Sequence, residues 1–221
     1  IITIEDPIEY SISGIDQIQV NARTSLTFAN GLRSILRQDP NIIMVGEIRD
    51  EETARIAVNA ALTGHLLFST LHTNDAPTAL PRLIDMKIEP FLIASTVNVV
   101  IAQRLVRKIC ENCKTKQPIT MDEMKSLSEI LPENLLAQYK EFYRGNGCEK
   151  CGNTGYYGRL GIYEVMEIND DIRAAVVRKA DSGEVMKIAI KNGMTTMVED
   201  GLKKVLSGIT TVEEILRVIH E

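Results

Sequence analysis

The spacing of apolar residues in the first hundred positions predicts strands that alternate with helices. β-Branched and other apolar residues are concentrated at residues 1–4, 41–45 and 65–70, which predicts three strands, the last two of them buried. Residues 9–20 are typical of a short hairpin with its turn near Ser13. Because strands and helices alternate along the chain, we expect an α/β fold with a parallel sheet.

The predicted helices between these strands have recognisable start and stop signals. Thr27 and Asp50 are good N-caps, and Gly64 is the residue expected just after the end of the second helix. A third helix is expected from Asp75, although an interior proline, Pro81, should kink it. The apolar stripes are Phe28, Leu32, Ile35 and Leu36 in the first helix and Ala54, Ala57, Val58, Ala61 and Leu62 in the second.

The character of the chain changes after about residue 107, where cysteines and a glycine-rich segment appear. The pattern beyond this point is mostly helical, with glycines between the segments. Helices are predicted near residues 121–128, 133–139, 171–179, 183–191, 197–206 and 211–219.

Composition narrows the class of protein without naming a function. The 221 residues are 44% hydrophobic and 25% charged, which is typical of a globular protein with a substantial core. The net charge of −5 gives no support for nucleic acid as the main partner, because duplex binding requires a basic surface. No apolar run approaches the roughly 20 residues of a membrane-spanning helix.

The most informative stretch is the predicted strand at residues 41–45, because Gly46 and Glu47 follow it directly. Open α/β sheets bind ligands at the carboxyl ends of their strands, where an acid can hold Mg²⁺ or its water. Gly46 would let another group approach the backbone closely. A phosphate-binding loop of the type G-x-x-x-x-G-K-[ST] is also required, yet none of the 14 glycines precedes a lysine. The sequence therefore resembles the acidic side of an ATPase site whose phosphate-binding loop is missing.

All four cysteines fall in two C-x-x-C pairs, Cys110 with Cys113 and Cys148 with Cys151. Two such pairs can complete a tetrahedral Zn²⁺ site, and four cysteine ligands leave no open position for catalysis. Disulfides or a redox-active pair are the alternatives. An ATPase-like neighbour implies a reducing compartment, which favours structural zinc.

Four ordered motifs resemble those in the C-terminal half of the secretion ATPases that power type II secretion and type IV pilus assembly. They are an aspartate box at residues 2–9, an arginine helix and Walker B box at 32–40 and 44–50, a histidine box at 63–74, and the cysteine pairs with residues 154–164. The resemblance covers the whole chain. Its cysteines favour the secretion or assembly branch over retraction motors.

The resemblance implies the fold and function of a longer parent protein. Residues 1–100 would form a partial RecA-like sheet that lacks its phosphate loop, followed by a zinc-binding subdomain over 101–167 and a helical C-terminal domain over 168–221. The parent would be a cytoplasmic homo-hexamer, peripheral to the inner membrane, that uses ATP and Mg²⁺ and acts on platform proteins of the machine. A zinc-stabilised interaction module without catalysis stays open. So does a DNA-transport ATPase, which the acidic balance disfavours.

The resemblance also assigns roles to two carboxylates. Glu5 would orient or deprotonate the attacking water, and Glu47 would act on Mg²⁺ through its water shell. Taken alone, Glu5 would be read as a cap at a strand end. The presence of Glu47 on a neighbouring strand end favours the catalytic interpretation.

Four further residues are candidates for sensing the nucleotide. His72 would sit near the γ-phosphate, and His65 could do the same or be a satisfied histidine at a strand end. Arg33 and Arg37 would stabilise phosphate charge or a subunit contact, as arginine fingers do, or lie on a solvated helix face.

Overall fold

The computed structural model describes residues 1–128 and 141–220 of the chain. The predicted helix at 133–139 lies outside these residues. The strands of the described part are Ile2–Glu5 (β1), Asp16–Gln19 (β2), Ile42–Val45 (β3), Leu66–Ser69 (β4), Val99–Ile109 (β5), Lys114–Pro118 (β6), Glu141–Gly145 (β7) and Tyr156–Glu167 (β8). Its α-helices are Phe28–Ile35 (α1), Glu51–Leu62 (α2), Ala79–Asp85 (α3), Pro90–Thr96 (α4), Met121–Ser128 (α5), Asp170–Val177 (α6), Ser182–Lys191 (α7), Met197–Leu206 (α8) and Val212–His220 (α9).

The chain divides into two compact units. The first comprises Ile1–Val100 and Met166–Asn192, and the second comprises Ile101–Val165 and Gly193–Glu221. The helices predicted as one C-terminal domain are therefore shared between the units. The division into three domains by sequence position stays a prediction. Within the described residues, no helix has the length and hydropathy needed to cross a membrane.

A four-stranded parallel sheet in the order β2-β1-β3-β4 forms the centre of the first unit. Ile4, Ile43 and Val45 are fully buried on the face that carries α1 and α2. This arrangement confirms the predicted α/β fold. It also places the carboxyl ends of all four strands at one edge of the sheet.

The first two helices begin at the predicted caps. The Thr27 hydroxyl accepts a hydrogen bond from the Asn30 amide, and the Asp50 carboxylate accepts one from the Thr53 amide at 2.8 Å. Both caps satisfy amide groups that have no partner inside the helix. Most of the predicted apolar stripes are buried; Leu62 is the clear exception and is exposed.

Residues 9–20 do not form the predicted hairpin. β2 pairs in parallel with β1, with Ile18 opposite Ile4, and residues 6–15 return the chain to the same end of the sheet. Gln17 holds this return loop, because its side chain accepts from the Ile12 amide at 2.8 Å and donates to the Tyr10 carbonyl at 3.0 Å. The alternation of side chains identified a strand, but such alternation does not encode the direction of its partner.

The predicted burial of β4 is wrong, and that of β3 holds only for the face that carries Ile43 and Val45. Met44, Leu66 and Phe68 are exposed, the last two to 51% and 54%, and Met44 is the register partner of Phe68. We call these three residues the apolar sheet face. In the described residues α1 and α2 cover the opposite face, and β4 is an edge strand.

The third helix begins later than predicted. The Asp75 carboxylate accepts a hydrogen bond from the Thr78 amide at 2.8 Å, and the regular helix α3 starts only at Ala79. Pro81 therefore lies in the first turn, where a backbone amide has no acceptor within the helix. We expected Pro81 to kink the helix by removing a hydrogen bond from its interior. In the first turn the proline removes no such bond, so this reason for a kink does not apply.

The second unit packs its last two helices against the strands that flank the cysteines. β6 and β7 pair antiparallel, and β5 pairs with β8. The shared core of this unit consists of Val106, Phe142, Ile162, Met197, Leu202, Val205, Val212, Ile215 and Val218.

Gly46 marks a close approach between the backbones of β1 and β3. Its amide donates to the Ile4 carbonyl at 2.7 Å. A Cβ atom at Gly46 would lie 3.2 Å from that carbonyl oxygen and 3.3 Å from the Cα atom of Glu5. The group that was predicted to approach Gly46 closely is therefore the backbone of β1 at Glu5.

We expect G46A to destabilise the chain, because the new methyl group meets backbone atoms that have little freedom to move. Overpacking of this kind costs about 1–3 kcal/mol in the free energy of unfolding, which urea denaturation measures. G183A is the matched control, since its Cβ would meet only the side chain of Asp181, at 3.2 Å. Equal stability of G46A and the unmodified chain would contradict the packing described here.

Candidate functional site

Three of the predicted site residues come together at the carboxyl edge of the parallel sheet. Glu5 is the last residue of β1, Glu47 follows β3, and His72 follows β4. Hydrogen bonding between the strands continues past their ends, since the Ile48 amide donates to the Thr70 carbonyl at 3.0 Å. The Thr70 hydroxyl also donates to the Gly46 carbonyl at 2.6 Å. These bonds fix the positions from which Glu47 and His72 project.

The Glu47 carboxylate is buried and has two nitrogen partners on one oxygen. Oε2 lies 2.7 Å from His72 Nε2 and forms an ion pair with Arg49 Nε. The hydrogen bond from Arg49, supported by the one from His72, lowers the pKa of Glu47 despite the opposing effect of burial. Glu47 is therefore ionised near neutral pH. Because an ionised carboxylate can only accept, Nε2 of His72 carries the proton between them.

The Glu5 carboxylate has neutral partners instead. Its Oε1 atom accepts hydrogen bonds from the Thr3 hydroxyl at 2.5 Å and from Gln17 Nε2 at 2.9 Å. Thr3 lies two residues before Glu5 on the same face of β1, and Gln17 is the register partner of Thr3 on β2. The two strands thus hold the Glu5 side chain in one orientation.

Sequence reasoning missed Arg49, Thr3 and Gln17 as partners of the two acids. The i, i+2 spacing of Thr3 and Glu5 on a strand was the available signal for Thr3, since alternate residues share a face. Arg49 has the same spacing from Glu47, but it lies in the turn after β3, where that rule does not apply. Gln17 can be recognised as a partner of Glu5 only from the parallel pairing of β2 with β1.

His65 lies at the other end of the sheet. It immediately precedes β4, whereas His72 follows that strand. Its Nδ1 atom is 3.0 Å from the Ala60 carbonyl, to which it donates, and 3.2 Å from the Thr63 hydroxyl. The structure therefore does not bring His65 to Glu5 and Glu47, and its contacts match the interpretation as a satisfied strand-end histidine.

Arg33 is exposed on α1, and Arg37 is exposed in the short 3-10 turn Leu36–Gln38 that follows this helix. Arg33 Nη2 contacts the Glu52 carboxylate at 2.6 Å, and Arg37 Nη2 donates to the Ser34 hydroxyl at 3.1 Å. Among the described contacts, neither arginine reaches the carboxyl-edge cluster. If these arginines contact a phosphate or a neighbouring subunit, as predicted, they do so without touching Glu5 or Glu47.

The four cysteines converge in the second unit. Their sulfur atoms all lie within 4.8 Å of one another, and the thiols are free. The close pairs are Cys110 with Cys148 at 3.8 Å, Cys113 with Cys151 at 3.9 Å, and Cys148 with Cys151 at 3.7 Å. Zn–S bonds of about 2.3 Å in a tetrahedron require sulfur separations of about 3.8 Å, so the donor set fits a tetrahedral ion. A disulfide would need about 2.0 Å.

The electrostatics of the cluster also favour a cation. Side-chain donation by Asn112 lowers the pKa of Cys148. Burial raises the pKa of Cys151, but the backbone amides of Cys148 and Gly155 outweigh it and lower the value to about 6. Burial and the neighbouring thiols raise the pKa of Cys113 to about 12. Four thiolates at this spacing repel one another, so a positive ion is needed to keep all of them ionised.

Comparison with known proteins identifies close relatives across the whole chain. The chain is 52% identical over 214 residues to the type IV pilus assembly ATPase PilB of Thermus thermophilus, covering 97% of this chain and 24% of that protein. It is 52% identical over 222 residues to the type II secretion system protein E of Pectobacterium carotovorum, covering 100% of this chain and 43% of the relative. The chain therefore spans less than half the length of these relatives.

Solved structures share the fold. The pilus retraction motor PilT with bound ADP superposes with a TM-score of 0.68 at 28% identity, over 99% of this chain and 52% of that one. The ATPase DotB of Legionella pneumophila gives a TM-score of 0.64 at 25% identity, over 99% and 51%. The family model described as "Type II/IV secretion system protein" matches residues 1–217. The chain belongs to the type II/IV secretion system protein family.

Proposed function

We propose that this chain is the C-terminal part of an ATPase that powers type II protein secretion or type IV pilus assembly. The observation that carries the proposal is the meeting of Glu5, Glu47 and His72 at one sheet edge in a member of the secretion family. Parallel α/β sheets bind their ligands at this edge. The runner-up interpretation of the isolated chain is a zinc-stabilised interaction module without catalysis, which the four converging cysteines favour. Kinetics distinguish the two interpretations.

The two acids would have different tasks in ATP hydrolysis. Glu47 would hold Mg²⁺ through a coordinated water, and Mg²⁺ would supply charge neutralisation for the β- and γ-phosphates. Glu5 would orient the attacking water, because Thr3 and Gln17 fix its carboxylate without placing a cation on it. His72 would report the γ-phosphate, since its Nε2–H already contacts Glu47 and would respond to a change in charge there.

The phosphate-binding loop would lie in a part of the parent outside these 221 residues. None of the 14 glycines here precedes a lysine, and the relatives are more than twice as long as the matched region. The apolar sheet face and the edge strand β4 support this proposal, because exposed apolar edges normally pair with or pack against further structure. The isolated chain would then hydrolyse ATP negligibly.

The assembly and location of the parent are also proposals. The relatives are secretion and pilus ATPases, which supports a cytoplasmic homo-hexamer at the inner membrane that contacts platform proteins of the machine. In such a ring Arg33 and Arg37, both exposed, would be available to a neighbouring subunit or its nucleotide. The proposal names both protein secretion and pilus assembly, because relatives of both kinds are 52% identical to this chain.

Kinetics of the full-length parent test the assignment of the two acids. We expect E5Q to lower kcat by about a hundredfold or more with ATP affinity nearly unchanged, because it removes an interaction made mainly in the transition state. E47Q should also raise the Mg²⁺ concentration needed for half-maximal activity. Steady-state rates at graded Mg²⁺ measure both effects.

The control for this experiment is E184Q, which removes an exposed ion pair with Arg178, and it should leave the rates unchanged. The unmodified 221-residue chain should show no turnover above background. Near-normal turnover by E5Q would remove Glu5 from the chemistry. Robust turnover by the short chain, abolished by E47Q, would overturn the proposed dependence on an outside loop.

We also propose that the metal at the cysteine cluster is Zn²⁺ with a structural role. Elemental analysis of the purified chain should give one zinc per chain, since four cysteines at tetrahedral spacing saturate the ion. A C113S variant should lose the metal. A chain without zinc whose thiols are oxidised to disulfides would contradict this assignment.

A further inference from the structure

The residues that connect α8 to α9 contact every strand that flanks the cysteines. We call residues 208–211 the connector. A Cβ atom on Gly208 would lie 2.5 Å from the Tyr143 ring in β7 and 3.0 Å from Lys114 Cε in β6. The Ile209 carbonyl accepts a hydrogen bond from the Ile109 amide of β5 at 2.8 Å.

The second half of the connector continues this pattern. The Thr210 hydroxyl donates to the Arg107 carbonyl of β5 at 2.8 Å. A hydrogen bond of 2.8 Å joins the Thr211 hydroxyl to the Tyr156 hydroxyl of β8. Four consecutive residues thus contact four different strands of the unit.

These strands lead directly into or out of the metal ligands. Ile109 is followed by Cys110, and Lys114 is preceded by Cys113. Gly155, the residue before Tyr156, accepts a hydrogen bond from the Cys110 amide at 2.9 Å. A shift of either cysteine loop would therefore move atoms that the connector touches.

A buried ion pair ties α9 to the same place. The Glu214 side chain is 2% exposed and accepts from the Arg107 amide at 2.9 Å, from Arg107 Nη2 at 2.6 Å and from Arg217 Nε at 3.1 Å. The Arg107 guanidinium stacks on the Tyr156 ring at 4.2 Å. Burial raises the pKa of Glu214, but the hydrogen bonds from the two arginines outweigh it and lower the pKa to about 2. Separating Glu214 from Arg107 would remove one of the two arginines that neutralise this buried carboxylate, which is unfavourable.

We propose that the connector and the Glu214–Arg107 pair couple the cysteine cluster to α8 and α9, so that metal occupancy and docking of these two helices depend on each other. The coupling rests on the proposed metal site and is independent of the proposed ATPase activity. Linkage makes it reciprocal: metal stabilises the docked helices, and docked helices raise the affinity for metal.

Hydrogen exchange of the chain with and without Zn²⁺ tests the first direction. Removing zinc with a chelator under reducing conditions should speed amide exchange in α8 and α9 by roughly tenfold or more, the usual range of such coupling. The helices α6 and α7 belong to the other compact unit and serve as the internal reference, with unchanged exchange.

Zinc affinity of variants tests the reverse direction. E214Q should weaken Zn²⁺ binding by about tenfold in a chelator competition, although Glu214 touches no cysteine. E213Q is the matched control, since Glu213 is exposed and lies 4.0 Å from Arg144 Nε. If E214Q does not fold, Y156F decides the matter, because it removes only the hydroxyl that meets Thr211.

Two outcomes overturn the proposal and can be told apart. Zinc binding with unchanged exchange in α8 and α9, and with normal affinity in E214Q or Y156F, would refute the coupling and leave the metal assignment intact. A chain that takes up no zinc at all would refute both. Neither outcome bears on the roles of Glu5 and Glu47.

Discussion

The close contact between the backbones of β1 and β3 is the constraint on which the candidate site depends. Gly46 donates to the Ile4 carbonyl, and its missing side chain leaves room for the Cα atom of Glu5. Glu5 and Glu47, which are 42 positions apart in the sequence, are thereby placed on neighbouring strand ends. An alanine at this position would require atoms of β1 to give way by a few tenths of an ångström, at the point where Glu5 leaves the strand.

The two compact units solve different problems of charge burial. In the first, Glu47 forms an ion pair with Arg49 and accepts a hydrogen bond from His72 at the carboxyl edge of the sheet. In the second, four crowded thiols fit an ion, and the carboxylate of Glu214 is matched by arginines within a packed core. In the proposed function Glu47 would turn from its present partners to a water on Mg²⁺, whereas four cysteines leave no open position and suit a structural role.

The sequence predicted a structural feature correctly where that feature depends on residues close together in the chain. Thr27 and Asp50 cap helices through amides three residues away, so their effect is visible in a short window. The direction of β2, the exposure of Phe68 and the partners of Glu47 depend on which segments meet in space, and no local period contains that information. The candidate acids were found because strand ends are local features. That His65 lies at the other edge also follows from order along the chain, since it precedes β4 while His72 follows it.

The most direct test of the proposed nucleotide site at the carboxyl edge of the sheet is a structure of the full-length parent with Mg²⁺ and a non-hydrolysable ATP analogue. The Glu47 carboxylate should accept a hydrogen bond from a water on Mg²⁺, with Glu5 and His72 on the γ-phosphate side of the same strand ends. Parallel sheets bind ligands at this edge, so the prediction follows from the strand order as well as from the side chains. A γ-phosphate bound at the amino end of β4, beside His65 and away from Glu47, would contradict it.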